Sequence, residues 1–455
     1  MSSSKPQKRT ATRVGAATAA MAIVLGLAPA TAAAAPVNPL GEIGNRLGSS
    51  DSLSQTLPQL PEGIETPGTP GGGIDIPDSA SIPDLISDES ADPNAPKRSP
   101  YRPDQVARFY QSDVATDKWF YFYVVHPFVD LEQNHPEVMD QNMETVVRIN
   151  NAAKNDPAAQ SIALDDDYLD PVVNISSAFG ENLGKHFREA LEEGRLPKVK
   201  TLLSGNLARG GGLVSSTFFE KYAYGYDRPF VQAPDRIERY YREGQDDPYT
   251  TSPAYPSGHT NKAAWTATML AMMLPELAPQ IEARASEAGH SRLVMGVHFP
   301  LDVMGGRMMG NQAAADRWAD PEFRPLIEEA MDELRSELEY RCGDTIANCV
   351  AKDTPYMSTA AAVKQYTERM TYDFKQIGPK DQPVIVPKRY AGLLETKFPD
   401  LTEEQRNSIL AQTAIASGYP LDRTDGEGQH VRMNLARALA ADVTVNADGS
   451  VTVIN

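Results

Sequence analysis

Cysteine, positive charge and long apolar runs are all scarce in this chain of 455 residues. Cys342 and Cys349 are the only cysteines. Two thiols without nearby histidines make no zinc site. In an exported protein, an even pair this close in sequence forms a small-loop disulfide. Beyond the first 35 residues no stretch of about 18 or more apolar residues occurs, so none of the rest reads as a spanning helix. Acidic residues outnumber basic ones by 61 to 43, a net charge of −18. That excess argues against nucleic-acid or anionic-membrane partners, which need a basic surface. An anionic substrate must then be captured by a local cluster of cations, because the overall field opposes it. No internal repeat recurs at a fixed period. Gly210-Gly211-Gly212 lacks the Gly-Lys-Ser/Thr that completes a nucleotide loop and reads as a flexible bend. His126, His135, His186, His290 and His430 lack metal-ligand spacing, and no metal is expected.

What is present divides the chain into four parts. Residues 1–35 read as a signal peptide. Lys5, Lys8, Arg9 and Arg13 precede an apolar stretch from Val14 to Leu27, and an alanine run offers cleavage after Ala34 or Ala35. The mature protein is therefore expected to be secreted, extracellular or associated with the cell envelope. Residues 36–100 are rich in Pro, Gly, Ser and Asp, most clearly over Thr66–Gly73, and read as a disordered linker. Residues 101–350 read as a helical domain. Leu169, Val172, Val173, Phe179, Leu183, Phe187 and Leu191 recur at helical spacing, as do Leu326, Ile327, Ala330, Met331, Leu334 and Leu338. Period-two alternation is scarce there, so the fold class is all-α, a helical bundle. Asp165-Asp166-Asp167 reads as an acidic solvated loop. Residues 351–455 form a C-terminal extension of unassigned role, with helical pieces near 360–374 and 402–416. Its tail alternates from Val443 to Val453 around Asp448-Gly449, which signals a β-hairpin.

Three patches carry chemistry. Lys221 is followed, six residues on, by Arg228-Pro229; then comes Pro256-Ser257-Gly258-His259; then Ser291-Arg292, His298 and Asp302. Coincidence of all three in this order falls well below about 1 in 10,000 on average residue usage. Phosphoryl transfer requires that a dianion be held and its transition-state charge balanced. Lys221, Arg228 and Arg292 can do this without a metal, the arginines through paired hydrogen bonds. Ser257 adds a hydroxyl donor. Gly258 lets a backbone N–H approach a phosphate oxygen, and a helix starting near Ser257 strengthens the site for an anion. Pro300 suits the first turn of a following helix. His298 then lies just before that helix, whose positive end favours the neutral imidazole that can attack phosphorus. Asp302, one turn on, can fix its tautomer. His259 remains as the general acid for the leaving alkoxide.

The constellation resembles the signature of the type 2 phosphatidic acid phosphatase superfamily: Lys-x6-Arg-Pro, Pro-Ser-Gly-His, Ser-Arg-x5-His-x3-Asp. The flanks Ala254–Thr260 and Gly296–Pro300 are most similar to bacterial class A non-specific acid phosphatases. The resemblance implies a bundle of the acid phosphatase/vanadium haloperoxidase type with the site between helices. It implies a phosphomonoesterase in which His298 takes the phosphoryl group, His259 is the acid and Asp302 orients His298. Lys221, Arg228, Ser257, Gly258, Ser291 and Arg292 hold the phosphate, no cofactor is needed, and small phosphate esters are the substrates. The same core residues serve a vanadium-dependent haloperoxidase, where vanadate takes the phosphate position, or a lipid-(pyro)phosphate phosphatase at the envelope.

Overall fold

The computed structural model describes residues 92–114, 120–208, 217–423, 426 and 428–454. The expected leader, nearly all of the linker and Gly210-Gly211-Gly212 lie outside the described residues. The described helices of seven residues or more are α1 (Phe128–Asn134), α2 (Pro136–Ala152), α3 (Pro157–Tyr168), α4 (Glu181–Glu192), α5 (Pro197–Leu203), α6 (Phe218–Tyr224), α7 (Gly258–Met273), α8 (Ala278–Val294), α9 (Pro300–Ala319), α10 (Arg324–Cys342), α11 (Ile346–Lys352), α12 (Thr359–Arg369) and α13 (Glu403–Thr413). The all-α class expected from the periodicity is what the chain adopts.

Local chemistry sets where these helices begin. Pro136, Pro157, Pro197 and Pro300 occupy first-turn positions, where a missing N–H costs nothing. Ser257, Thr345, Ser358 and Thr402 cap α7, α11, α12 and α13 by accepting a backbone N–H three residues on. Gly343 ends α10 in the left-handed region at φ 72°, a conformation glycine adopts without strain.

Burial identifies the centre. Every residue of α7 from Ala263 to Met273 and every residue of α9 from Pro300 to Trp318 is buried. A helix enclosed on all sides shows no amphipathic stripe and belongs in the core of a large domain. α7 packs against α8 and α9, and the other helices surround this trio. Two glycines permit the close approach of α7 and α9. A Cβ at Gly306 would stand 2.5 Å from the carbonyl oxygen of Ser257, and one at Gly310 would stand 2.5 Å from that of Asn261. The backbone of α9 therefore lies directly against the start of α7.

Residues after Cys349 add to the same apolar core through Tyr366, Met370, Tyr390, Leu394, Ile409 and Val431. α12 lies on α8, where Gln280 Nε2 donates to Met357 O at 3.3 Å and Gln365 Nε2 donates to Ala283 O at 3.4 Å. The tail forms an antiparallel pair, β1 (Asp442–Val445) and β2 (Val451–Ile454), with Val445 opposite Val451. Gln412 of α13 satisfies the edge of β2, donating to Val451 O at 2.8 Å and accepting from Val453 N at 3.1 Å. Cys342 and Cys349 are disulfide-bonded, which ties the end of α10 to α11. Among the described residues no helix is long and apolar enough to cross a membrane.

Two local readings change. The run from Leu169 to Leu191 is not one helix. A short helix, Pro171–Ile175, passes through a 3-10 turn to Gly180 at φ 100°, and α4 starts afresh at Glu181. Asp165-Asp166-Asp167 is not a solvated loop but the last turn of α3, and Asp166 is buried.

Candidate active site

The three patches arrive from separate elements and meet at the N-terminal ends of α7 and α9. Lys221 is on α6, Arg228 just before the turn Pro229–Gln232, Ser257 to His259 at the start of α7, Ser291 and Arg292 in the last turn of α8, and His298 just before α9. α7 and α9 are clamped at this point, because Ser257 N donates to Asp302 O at 2.9 Å.

His298 is buried, and its Nδ1 lies 3.1 Å from Asp302 Oδ2. That same oxygen accepts the Phe299 N–H at 2.8 Å, so it is the acceptor in both contacts. Nδ1 thus carries the proton, and Nε2 keeps its lone pair. Nε2 stands 3.4 Å from Arg228 Nη1. Burial first, then the cations Arg228, Lys221 and Arg292, hold the imidazole well below its usual range. Asp302 is fully buried, and burial pushes its carboxyl up to about 7. Its Oδ1 has no hydrogen-bond partner among the described residues.

Arg228 is held by main chain. Its Nε donates to Ser252 O at 2.7 Å, its Nη1 to Val297 O at 3.1 Å and its Nη2 to Ser252 Oγ at 3.0 Å. Lys221 is half-buried and donates from Nζ to Pro253 O at 2.8 Å and Ala254 O at 3.0 Å. Neither forms an ion pair with a carboxylate among the described residues. Burial is the main cause that lowers both, with the neighbouring cation next: Arg228 for Lys221, and Arg292 for Arg228, which falls to about 10. The pocket concentrates three cations, of which Arg292 alone pairs directly with a carboxylate, Asp167, among the described residues.

Ser257 is fully buried and caps α7. Its Oγ accepts from Thr260 N at 3.3 Å and from Thr260 Oγ1 at 2.9 Å. Both are acceptor roles, so its own proton remains for another acceptor. A Cβ at Gly258 would stand 3.0 Å from Thr217 Oγ1 and 3.8 Å from Lys221 Cε, which places α6 against the head of α7. His259 differs from its neighbours in being 51% exposed at the side chain. Arg292 is the first cause that lowers its imidazole, ahead of burial and of Arg228 and Lys221.

Arg292 is 1% exposed and pairs through Nη1 with Asp167 Oδ1; its Nε has no partner among the described residues. Asp167 Oδ1 also lies 3.7 Å from His259 Nε2. Ser291 donates to Asp166 Oδ2 at 2.7 Å, and Asp166 Oδ1 takes Arg284 Nη2 at 2.5 Å. Eight of the nine predicted residues thus surround one pocket, while the hydroxyl of Ser291 is directed to Asp166. Asp166 and Asp167 are the residues missed. A signal existed: Asp156 before Pro157 is an N-cap and first-turn proline, so the three aspartates fall at the helical end of the run. Among the described residues no group of three His, Cys, Asp or Glu is placed to hold a metal ion.

Residues 201–317 match the family model described as the PAP2 superfamily. That span carries all nine predicted site residues. A non-specific acid phosphatase of Providencia stuartii is 29% identical over 167 residues, 35% of this chain and 61% of the relative. One of Salmonella typhi is 28% identical over 186 residues, 41% of this chain and 70% of the relative. An acid phosphatase of Zymomonas mobilis is 38% identical over 81 residues, 18% of this chain and 31% of the relative. The matched part spans a little under two thirds of the first of these proteins, and the resemblance to the acid phosphatases stands at modest identity.

Proposed function

We propose, from a PAP2-superfamily match over residues 201–317 and the pocket those residues build, that this protein is a phosphatase that hydrolyses phosphate monoesters through a phospho-histidine on His298, without a metal. The observation that carries the reading is a cation cluster in which Lys221 and Arg228 pair with no carboxylate among the described residues, set beside an imidazole whose free nitrogen faces it.

The phosphoryl oxygens occupy the space between Lys221, Arg228 and Arg292. The Ser257 hydroxyl and the unsatisfied first-turn N–H groups of α7, beginning at Gly258, add donors. Together these groups balance the charge of the phosphoryl group and of its transition state. His298 Nε2 attacks phosphorus, the P–N bond forms and the P–O bond to the leaving group breaks. Asp302 keeps Nδ1 protonated and stabilises the imidazolium-like ring that results. The cations hold the His259 imidazole below its usual range; a bound phosphate dianion offsets them, so substrate raises His259 towards its protonated form. His259 then gives its proton to the leaving alkoxide. In the second half-reaction it takes a proton from water, which attacks phosphorus and frees His298. Asp167 positions both Arg292 and His259 for these steps.

In this reading residues 101–350 form the phosphatase domain, 351–455 an extension that adds to its core, and the 1–35 leader directs export, in keeping with the disulfide. The test is phosphate release from a nitrophenyl ester with chelator present, alongside halide oxidation by hydrogen peroxide with vanadate added. Hydrolysis that persists in chelator is the expected result. Loss of hydrolysis in chelator contradicts metal-free chemistry, and halide oxidation without ester hydrolysis points to the haloperoxidase instead.

A further inference from the structure

Ser257 takes both of its side-chain hydrogen bonds among the described residues from one neighbour, Thr260. The main chain of Ser257 is pinned on both sides: its N donates to Asp302 O at 2.9 Å, and its O accepts from Asn261 N at 3.0 Å. What stays free is the rotation of its hydroxyl. Thr260 lies one turn on in α7 and is buried. Its N–H reaches Ser257 Oγ at 3.3 Å and its Oγ1 reaches the same oxygen at 2.9 Å, so the hydroxyl is the closer restraint. A helical threonine commonly bonds a carbonyl one turn back; Thr260 bonds the capping side chain instead. Its own rotamer is held by packing. A Cβ at Gly306 of α9 would stand 3.0 Å from Thr260 Cβ, and one at Gly289 of α8 would stand 3.1 Å from its Cγ2. Both positions are glycine, so both helices pack directly against this side chain.

We infer that Thr260 is a positioning residue for phosphate binding: its hydroxyl donates to Ser257 Oγ and so turns the Ser257 proton towards the phosphoryl group. This rests on the phosphatase reading of the pocket. Two hydroxyls in contact share one proton, and either can donate it. If Ser257 donated to Thr260, the Thr260 proton would meet no acceptor among the described residues. A phosphoryl oxygen settles the direction, because a hydrogen bond to an anion outweighs one between neutral groups. The chain from Thr260 to Ser257 to phosphate then runs one way, and each donation strengthens the next. Thr260 touches no reacting atom and acts through Ser257.

The experiment is a double-substitution cycle. Thr260→Ala, Thr260→Val and Thr260→Ser are made in the unsubstituted protein and in Ser257→Ala. Each is scored by kcat/KM on a nitrophenyl phosphate and by calorimetric binding of inorganic phosphate, which needs no turnover. With Ser257 present, the alanine and valine variants are each expected to lose about five- to tenfold in kcat/KM, with phosphate binding weakened to match. Thr260→Ser restores the hydroxyl and is expected to stay within about twofold. In Ser257→Ala the same substitutions are expected to cost less than about twofold, because the group through which Thr260 acts is gone. Equal losses in both backgrounds assign Thr260 to helix packing and overturn the inference while leaving the phosphatase reading intact. A loss confined to the valine variant, whose methyl crowds Ser257, does the same, as does a serine variant no better than alanine or the absence of any loss. If the unsubstituted protein neither releases phosphate from the ester nor binds it, both readings fall.

Discussion

The two ends of α9 handle buried charge in opposite ways. At the C-terminal end each buried cation has its carboxylate. Arg317 Nη1 donates to Asp113 at 2.7 Å and to Ser112 Oγ at 3.2 Å, and its guanidinium lies 4.4 Å from the Phe323 ring centre. Asp316 beside it accepts from Tyr121 OH at 3.1 Å, Gln312 Nε2 at 3.0 Å and Arg389 Nη1 at 3.3 Å. At the N-terminal end, among the described residues, Lys221 and Arg228 bond only carbonyl and hydroxyl oxygens besides the His298 ring nitrogen. Main-chain carbonyls orient a cation without cancelling it. Matched buried charge is architecture, while unmatched buried charge costs stability and persists where a ligand completes it.

Substitutions can break that contrast. The largest effect belongs to His298→Ala, which is expected to reduce phosphate release by about 10⁴-fold or more while near-UV circular dichroism stays native. Substantial activity in that variant means another group takes the phosphoryl. Next is Arg317→Met, which takes away the cation that Asp113 pairs with in the interior; urea unfolding should show a loss of about 3–5 kcal/mol with kcat/KM little changed. Arg228→Met should do the reverse. It removes an uncompensated buried cation, so the melting temperature holds or rises, while kcat/KM falls by about 10²–10³-fold. If both arginine variants lose stability alike, the two ends of α9 do not differ as described.

Acid gives the smallest and most graded effect. Around the C-terminal half of α9, His430 is bonded through Nε2 to Gln312 Oε1 at 2.9 Å, and burial pushes it down to about 3. A folded value below the unfolded one, about 6.5, means that the unfolded chain binds the extra proton. Stability is then at full strength above about pH 6.5 and is lost as the pH falls from there towards 3. Urea midpoints across that window should decline in the parent and less steeply in His430→Phe. An equal decline in both assigns the loss to other groups.

How much of this was legible in the sequence depended on the length scale of the cause. Caps and first-turn residues act locally, so the starts of α7 at Ser257 and α9 at Pro300 could be read directly. The hairpin was legible too, because Asp448-Gly449 and alternating Val and Thr are local signals. The break at Gly180 was not, since an apolar period continues across it. Nor was the burial of Asp166 and Asp167. Three adjacent acids look solvated until Arg284 and Arg292, more than a hundred residues on, turn out to face them. That Lys221 and Arg228 pair with no carboxylate among the described residues was equally out of reach, because such pairing is decided only in three dimensions.

Trapping the covalent state tests the central claim most directly. The protein is mixed with a nitrophenyl phosphate, quenched rapidly at alkaline pH to preserve phosphoramidate bonds, digested and mapped by mass spectrometry. The expected result is one phosphoryl group on the peptide containing His298, located at that imidazole and absent from His298→Ala. A phosphoryl group carried by His259 or by any hydroxyl or carboxylate, with His298 unmodified during turnover, would contradict the account.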